Sequence, residues 1–250
     1  MHSMISPRAP APALAFVLLS VLCLSACATT QTSARNPRDP FEPINRVTFA
    51  LNDEADRILG KPVARAYRAV LPQFAETGVS NFFHNLTYPR VILSDLLQGK
   101  PAFALSGTGR LLLNSTLGLG GLLDPAGDIG LADRDEDFGQ ALGVWGLPSG
   151  PYLVLPIVGP TSLRDGVGRI ADNFAEPQHY LEDDSSRYTL EAARFLDRRA
   201  RLLVTDRLLD RAVDKYALVR SAYLQREEYQ VRDGNVPEEE PLDVPEEDNP

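Results

Sequence analysis

The chain of 250 residues has only two cysteines, Cys23 and Cys27, and a single tryptophan. So few cysteines exclude a disulfide framework and any site built from several thiolates. Histidine is nearly as scarce. Apart from His2 there are His84 and His179, and no Gly-x-Ser-x-Gly elbow exists to make either the base of a hydrolase. Nucleotide loops are missing too. Gly118-Leu119-Gly120-Gly121 begins like a dinucleotide loop, but Leu123 stands where the third glycine belongs and no Gly-Lys-Ser/Thr occurs. The acidic run Asp133 to Asp137 starts like a calcium loop, yet Phe138 occupies the turn-glycine position and Val144 that of the bidentate glutamate. The expectation is a protein that is not an enzyme, with no cofactor, no metal site, no catalytic residue and no nucleic-acid partner. Long apolar runs are lacking as well. The longest, Ala13 to Leu24, is shorter than the ~20 residues a membrane-spanning helix needs.

That short run does suit the apolar core of a secretory signal, and it ends in Leu24-Ser25-Ala26-Cys27. The tetrapeptide resembles the lipobox of bacterial lipoproteins. It implies cleavage after residue 26, a diacylglyceryl group on the Cys27 thiol and an acylated new amino terminus. Each buried methylene contributes about 0.8 kcal/mol, so three acyl chains make an effectively permanent anchor. The expected organisation is a signal peptide over 1–26, a lipidated tether over 27–38, a folded domain over 39–232 and a tail over 233–250.

The net charge of −9 belongs mostly to the tail. Residues 233–250 hold eight of the 34 acids and no Lys or Arg, which leaves 26 acids against 24 bases in residues 28–232. Rich in Pro and poor in large apolar residues, the tail reads as disordered.

Between tether and tail the pattern is mostly helical. Asp39, Pro40 and Pro43 form a turn that opens a helix, with Ile44, Val47, Leu51 and Ile58 at helical spacing up to Gly60. A second short helix is expected over 63–70. Two more, over 79–86 and 90–97, are expected to be separated at Pro89, and a further one covers 103–117. Residues 115–131 then combine five glycines with six large apolar residues. A stretch of this kind makes neither a stable helix nor a polar loop, so a buried or lipid-facing hairpin is expected. Residues 148–160 are apolar but punctuated by prolines, which suits an extended segment through or around the core. Residues 185–229 contain neither Pro nor Gly and read as one long helix or two. Nowhere does a period-2 alternation persist long enough to build a sheet. Within the last region, Arg194, Arg198 and Arg201 share one helix face, as do Arg207, Arg211 and Lys215. Such faces suit lipid phosphates or an acidic partner, but an ordinary solvated face paired with Glu191, Asp197, Asp206 and Asp210 is the simpler reading.

With these segments laid out, the chain resembles the MlaA (VacJ) family of outer-membrane lipoproteins. The likeness rests on strings in order from Asp39 to Tyr229: Asp39-Pro-Phe-Glu-Pro-Ile-Asn-Arg46, Lys61-Pro-Val-Ala64, Gly78-Val-Ser-Asn-Phe-Phe83, Leu97-Gln-Gly-Lys100, Asn114-Ser-Thr-Leu-Gly118, Glu136-Asp-Phe-Gly-Gln140, Gly150-Pro-Tyr152, Gly159-Pro160 and Arg164-Asp165. Leu111 and Ala141 depart from the usual Phe and Thr. The resemblance implies a mostly α, ring-shaped domain seated in the periplasmic leaflet of the outer membrane. A central amphipathic channel would take mislocalised phospholipids from the outer leaflet to a periplasmic carrier of MlaC type and so preserve lipid asymmetry. Its other implied partners are a trimeric porin and, indirectly, an inner-membrane ABC transporter complex. On this view Asn114, Leu117, Gly118, Leu119, Gly120, Gly121, Leu122, Leu123 and Asp124 are candidates for the channel wall and gate. Trp145 and Tyr152 are candidates for the membrane interface. The rival expectation is a structural or surface-anchoring lipoprotein without transport.

Overall fold

Helix α1, Glu42–Ala55, starts where the sequence places it, with Pro43 in its first turn. In the computed structural model, which describes residues 36–236, Arg38 to Val236 lie in one unit. The lipobox, Cys27 and most of the tether and tail lie outside the described residues. Asp39, almost fully buried, fastens the start of this unit. It accepts hydrogen bonds from Asn45 Nδ2 at 2.8 Å, Tyr216 Oη at 2.5 Å and Arg220 Nη1 at 2.8 Å.

The expected break between Gly60 and residue 63 does not occur. The chain passes from α1 through a π turn, Asp56–Gly60, directly into α2, Lys61–Val70. Pro62 lies in the first turn of α2, where a missing N–H removes no α-helical bond, and the wider π turn absorbs the discontinuity. Pro89 does not separate two helices either. Helix α3 runs unbroken over 25 residues, Gln73–Leu97. An interior proline costs about 3 kcal/mol. Tyr88 and Val91, one on each side of it, are both completely buried, so tertiary packing overrides the local penalty.

Gln98-Gly99-Lys100 turns the chain back, with Gly99 at φ +74° and the Lys100 N–H bonded to Asp95 O. Helix α4, Pro101–Thr116, then packs along α3. The glycine-rich stretch ends in a single helical turn, α5, Pro125–Asp128, and Asp137 caps α6, Phe138–Val144.

The proline-punctuated segment is extended, but it forms a small sheet, which corrects the expectation of none. Strands β1, Tyr152–Leu155, and β2, Gly159–Ser162, pair antiparallel in the register Tyr152↔Ser162 and Leu155↔Gly159. Two asparagines of α1, seven residues apart and so on one helix face, complete the edge of β1. Asn45 donates to Tyr152 O and accepts from Val154 N, and Asn52 donates to Leu155 O and accepts from Ile157 N, all at 2.9 Å. Side-chain amides replace the third strand that the sequence cannot supply.

Helix α7, Leu163–Ala175, follows and packs closely on α6. The last region holds more breaks than the expected one or two helices allow: α8, Asp184–Arg201, a 3₁₀ turn, α9, Asp206–Arg211, and α10, Lys215–Val231. Asp214 caps α10 by accepting from Ala217 N, so a cap rather than Pro or Gly makes the break. Arg207 and Arg211 consequently sit on a different helix from Lys215. Order also continues past residue 232. Asp233 pairs with Lys100 and, at 3.0 Å, with Arg134, which ties the first residue expected in the tail to the domain.

The burial pattern is inverted relative to an ordinary soluble domain. Among the described residues, more polar and charged side chains are buried than apolar ones, including Arg110, Asp95, Asp197 and Ser162. Large apolar side chains crowd the surface instead: Ile44, Val47, Leu51, Ile58, Leu59, Val70 and Phe74 along α1 to α3, and Leu105, Leu112, Leu117, Leu119 and Ile129 from α4 onward. No helix of the described residues is long and apolar enough to cross a membrane.

Candidate functional site

The glycine-rich turn is anchored from below by a buried cation. Arg110, 2% exposed, reaches both Asp124 carboxylate oxygens at 2.8 Å and Leu131 O at 2.6 Å. Asn114 lies one turn further along α4. It donates to Asp124 Oδ1 at 2.8 Å and accepts from Ala126 N at 3.1 Å. Asp124 also accepts from Gly127 N, which caps α5. These bonds, Arg110 among them, hold the Asp124 pKa below the usual carboxylate value against the opposing effect of burial. Asn114 and Asp124, expected at a channel wall, are therefore the fastening of the turn.

The backbone of the turn then uses three left-handed residues in succession: Leu119 at φ 55°, Gly120 at 74° and Gly121 at 96°. They bring the Gly120 and Gly121 N–H groups back to Ser115 O and Asn114 O, closing the end of α4. Gly121 has no room for a side chain, since a Cβ there would lie 2.6 Å from that of Asn85 on α3. Gly118 is equally enclosed by Asn114 O and Leu123 O, whereas Gly120 faces open space. Asn81 of α3 donates to Leu122 O at 3.3 Å, and Asn85 to Ser115 Oγ at 3.0 Å. The glycines serve close approach at two of three positions. What the turn presents outward is Leu117, Leu119, Leu122 and Leu123, all exposed.

The two aromatic candidates part company. Trp145 keeps 60% of its surface exposed while its indole N–H donates to Leu97 O at 2.9 Å. Tyr152 has no exposed surface at all, which overturns the interface expectation. It lies in an aromatic cluster with Tyr216 and Tyr223, at ring separations of 6.2 and 5.7 Å. Its position on the inward face of β1 puts it there, and the short strand is the feature that sequence reading missed.

The histidines are tied into local structure. His84 Nε2 lies 2.7 Å from Asp133 Oδ1, which also accepts from Tyr88 Oη at 2.7 Å. The His84 bond, then that of Tyr88, outweighs burial and draws the Asp133 pKa down to about 2. His179 packs edge-on against Phe174 and Tyr180.

Exposed apolar side chains along its helices, buried polar side chains and a leucine-tipped turn clamped to two helices define a mostly α lipoprotein domain. The chain belongs to the MlaA lipoprotein family, whose model matches residues 37–230. It is similar to the "Intermembrane phospholipid transport system lipoprotein MlaA" of Escherichia coli (strain K12), at 37% identity over 91% of this chain and 92% of that one. The protein of the same description from Haemophilus influenzae is 31% identical over 88% and 91%. A solved structure described as "Structural basis for maintenance of bacterial outer membrane lipid asymmetry" matches with a TM-score of 0.71 at 36% identity. The match covers 79% of this chain and all of that one.

Proposed function

We propose that this chain is an outer-membrane lipoprotein, anchored through Cys27, that removes mislocalised phospholipids from the outer leaflet. The lipid would pass through a central amphipathic channel to a soluble periplasmic carrier, and lipid asymmetry would be maintained. Its activity is transport rather than catalysis. The observation that carries this reading is the inverted burial pattern. Helices whose outer faces are leucine, isoleucine and phenylalanine gain from contact with acyl chains, at roughly 25 cal/mol per Å² of apolar surface removed from water. None of these helices crosses a bilayer, so the domain would sit in one leaflet. The polar interior supplies what a charged head group needs on its way through. Phospholipid transport and outer-membrane lipid asymmetry in the descriptions of the relatives support the same reading. A trimeric porin beside the domain and an inner-membrane ABC transporter further along the route belong to it as partners. Within it, the leucine-tipped turn of residues 117–123 is the channel rim, and Trp145 marks the boundary with water.

The test is the amount of phospholipid exposed on the cell surface of a strain lacking this protein, with and without the wild-type gene restored. Deletion is expected to raise it and restoration to lower it. Unchanged surface phospholipid would leave the protein as a structural or anchoring lipoprotein.

A further inference from the structure

Helix α7 ends at Ala175, and a 3₁₀ turn, Pro177–Tyr180, leads the chain on towards α8. These three elements pack together around a cavity of about 280 Å³. Its most buried wall residues are Glu176 and Gln178, and Arg187, Tyr188, Glu191 and Arg194 form the α8 side. Two of the four charges satisfy each other: Arg194 holds Glu176 through two guanidinium nitrogens, at 2.6 and 3.2 Å. The other two stay available. Glu191 makes no hydrogen bond or ion pair among the described residues. Arg187 pairs with Asp184 alone, at 2.6 Å, and that carboxylate is 73% exposed. So open a pair contributes little, and a ligand can take its place. Residues 187 and 191 are one helical turn apart on one face, yet they do not pair with each other. Gln178 donates to Glu176, while its own Oε1 is buried with no hydrogen-bond partner among the described residues.

An apolar track leads to this cavity. Leu163, Val167, Ile170 and Phe174 recur at helical spacing on α7, and all four are exposed. Asn173, next to Phe174, lines the cavity, and the Phe174 ring lies 6.3 Å, edge-on, from that of His179, another wall residue. From Leu163 to Phe174 the track measures about 16 Å at the helical rise of ~1.5 Å per residue. The hydrocarbon of one leaflet is about 15 Å deep, half of a ~30 Å core. A polar end joined to an apolar track of that length suits an amphiphile. The cavity, about 280 Å³, is smaller than the roughly 300–1,000 Å³ that encloses a drug-sized ligand, so it takes a head group and leaves the chains outside.

We propose that this cavity binds the ethanolamine head group of a phospholipid, with Glu191 accepting from the ammonium and Arg187 donating to the phosphodiester. Ethanolamine sets those charges two carbons apart, a spacing that fits a carboxylate and a guanidinium one helical turn apart. The ammonium brings three donors to a wall where an amide oxygen lacks one. The guanidinium fork meets the two free phosphate oxygens with parallel hydrogen bonds. A glycerol head group offers the phosphate without the ammonium, so Glu191 sets the preference between the two. The acyl chains would lie along the α7 track. The inference rests on the transport reading and adds to it the head group that is recognised.

The test uses the full lipidated protein in detergent, titrated with phosphatidylethanolamine, with phosphatidylglycerol of the same chains and with chain-free phosphoethanolamine, and read by native mass spectrometry. Wild type is expected to bind phosphatidylethanolamine about tenfold tighter than phosphatidylglycerol, the worth of one charge-assisted hydrogen bond. Glu191→Gln should erase this preference, Glu191→Lys should reverse it, and Arg187→Gln should weaken both lipids. Arg201→Ala, which removes a pair with Asp197 outside the cavity, should bind as wild type. Because Glu191 has no partner to lose, Glu191→Gln should unfold at the wild-type temperature. Equal affinity of wild type for the two lipids overturns the proposal without recourse to any variant, and so does a preference that survives Glu191→Gln. Phosphoethanolamine binding as tightly as the lipid also overturns it, in favour of a soluble ligand. None of these results touches the transport reading, which stands or falls separately on surface phospholipid in the deletion strain.

Discussion

Arg110 and Asp124 form a two-oxygen ion pair, both contacts 2.8 Å, that joins the middle of α4 to the far end of the glycine-rich turn. The cation is buried and the acid is partly open to solvent. Removing Asp124 strands a buried guanidinium, whereas removing Arg110 leaves a carboxylate that water reaches. Asp124→Ala is therefore expected to destabilise the domain more than Arg110→Ala, by about 3 kcal/mol against about 2 kcal/mol. Unfolding in detergent followed by circular dichroism measures both. The opposite order would mean that the pair does not clamp the turn.

Gly120 and Gly121 share a left-handed backbone but not their surroundings. An alanine at 120 meets nothing and carries only the left-handed penalty, about 1 kcal/mol. At 121 the same methyl runs into Asn85 as well, which adds about 1–3 kcal/mol of overpacking. Gly121→Ala should thus lose clearly more stability than Gly120→Ala. Equal losses would show that the turn moves freely away from α3, as a hinge would.

The helical content and the special character of residues 114–131 were legible in the sequence, because composition and glycine placement report local backbone directly. Breaks were harder. Pro89 looked like a boundary because its cost is local, while Tyr88 and Val91 are buried against other elements, α4 among them, that the local sequence does not show. The strand at Tyr152 was hidden because its edge is completed by Asn45 and Asn52, a hundred residues away in sequence. The same distance problem explains the motif strings. Asp39, Asn114, Asp137 and Arg164 identified the family, yet each serves as a cap or clamp.

Asp172 supplies a pH signature. Burial pushes its carboxyl up to about 6, against the attraction of Arg90 and the Phe138 N–H at 3.0 Å. The folded state therefore binds this proton more tightly than the unfolded chain, where an aspartate titrates near 4. Its contribution to stability is full below about pH 4 and is lost as the pH rises through about 6. A difference of about two pKa units corresponds to about 3 kcal/mol. Asp172→Asn keeps an oxygen for the Phe138 N–H and removes the titration. The variant should gain stability over wild type at pH 7.5 and lose most of that gain by pH 4.5, as measured by thermal unfolding. A gain that does not vary with pH would exclude Asp172 as the source.

Leu119 separates membrane contact from folding. It stands at the tip of the turn, 68% exposed, with φ at 55°. An aspartate there loses no buried contact and adopts a left-handed backbone more readily than leucine. Leu119→Asp should therefore fold as well as wild type in detergent. In a bilayer the same change places a carboxylate where hydrocarbon is expected, at about 2.5–3.5 kcal/mol if the tip lies deep. Expressed in the deletion strain, the variant should reach the envelope but fail to lower surface phospholipid. Full restoration by this variant would place the tip in water, and the rim would then have to be sought elsewhere on the apolar surface.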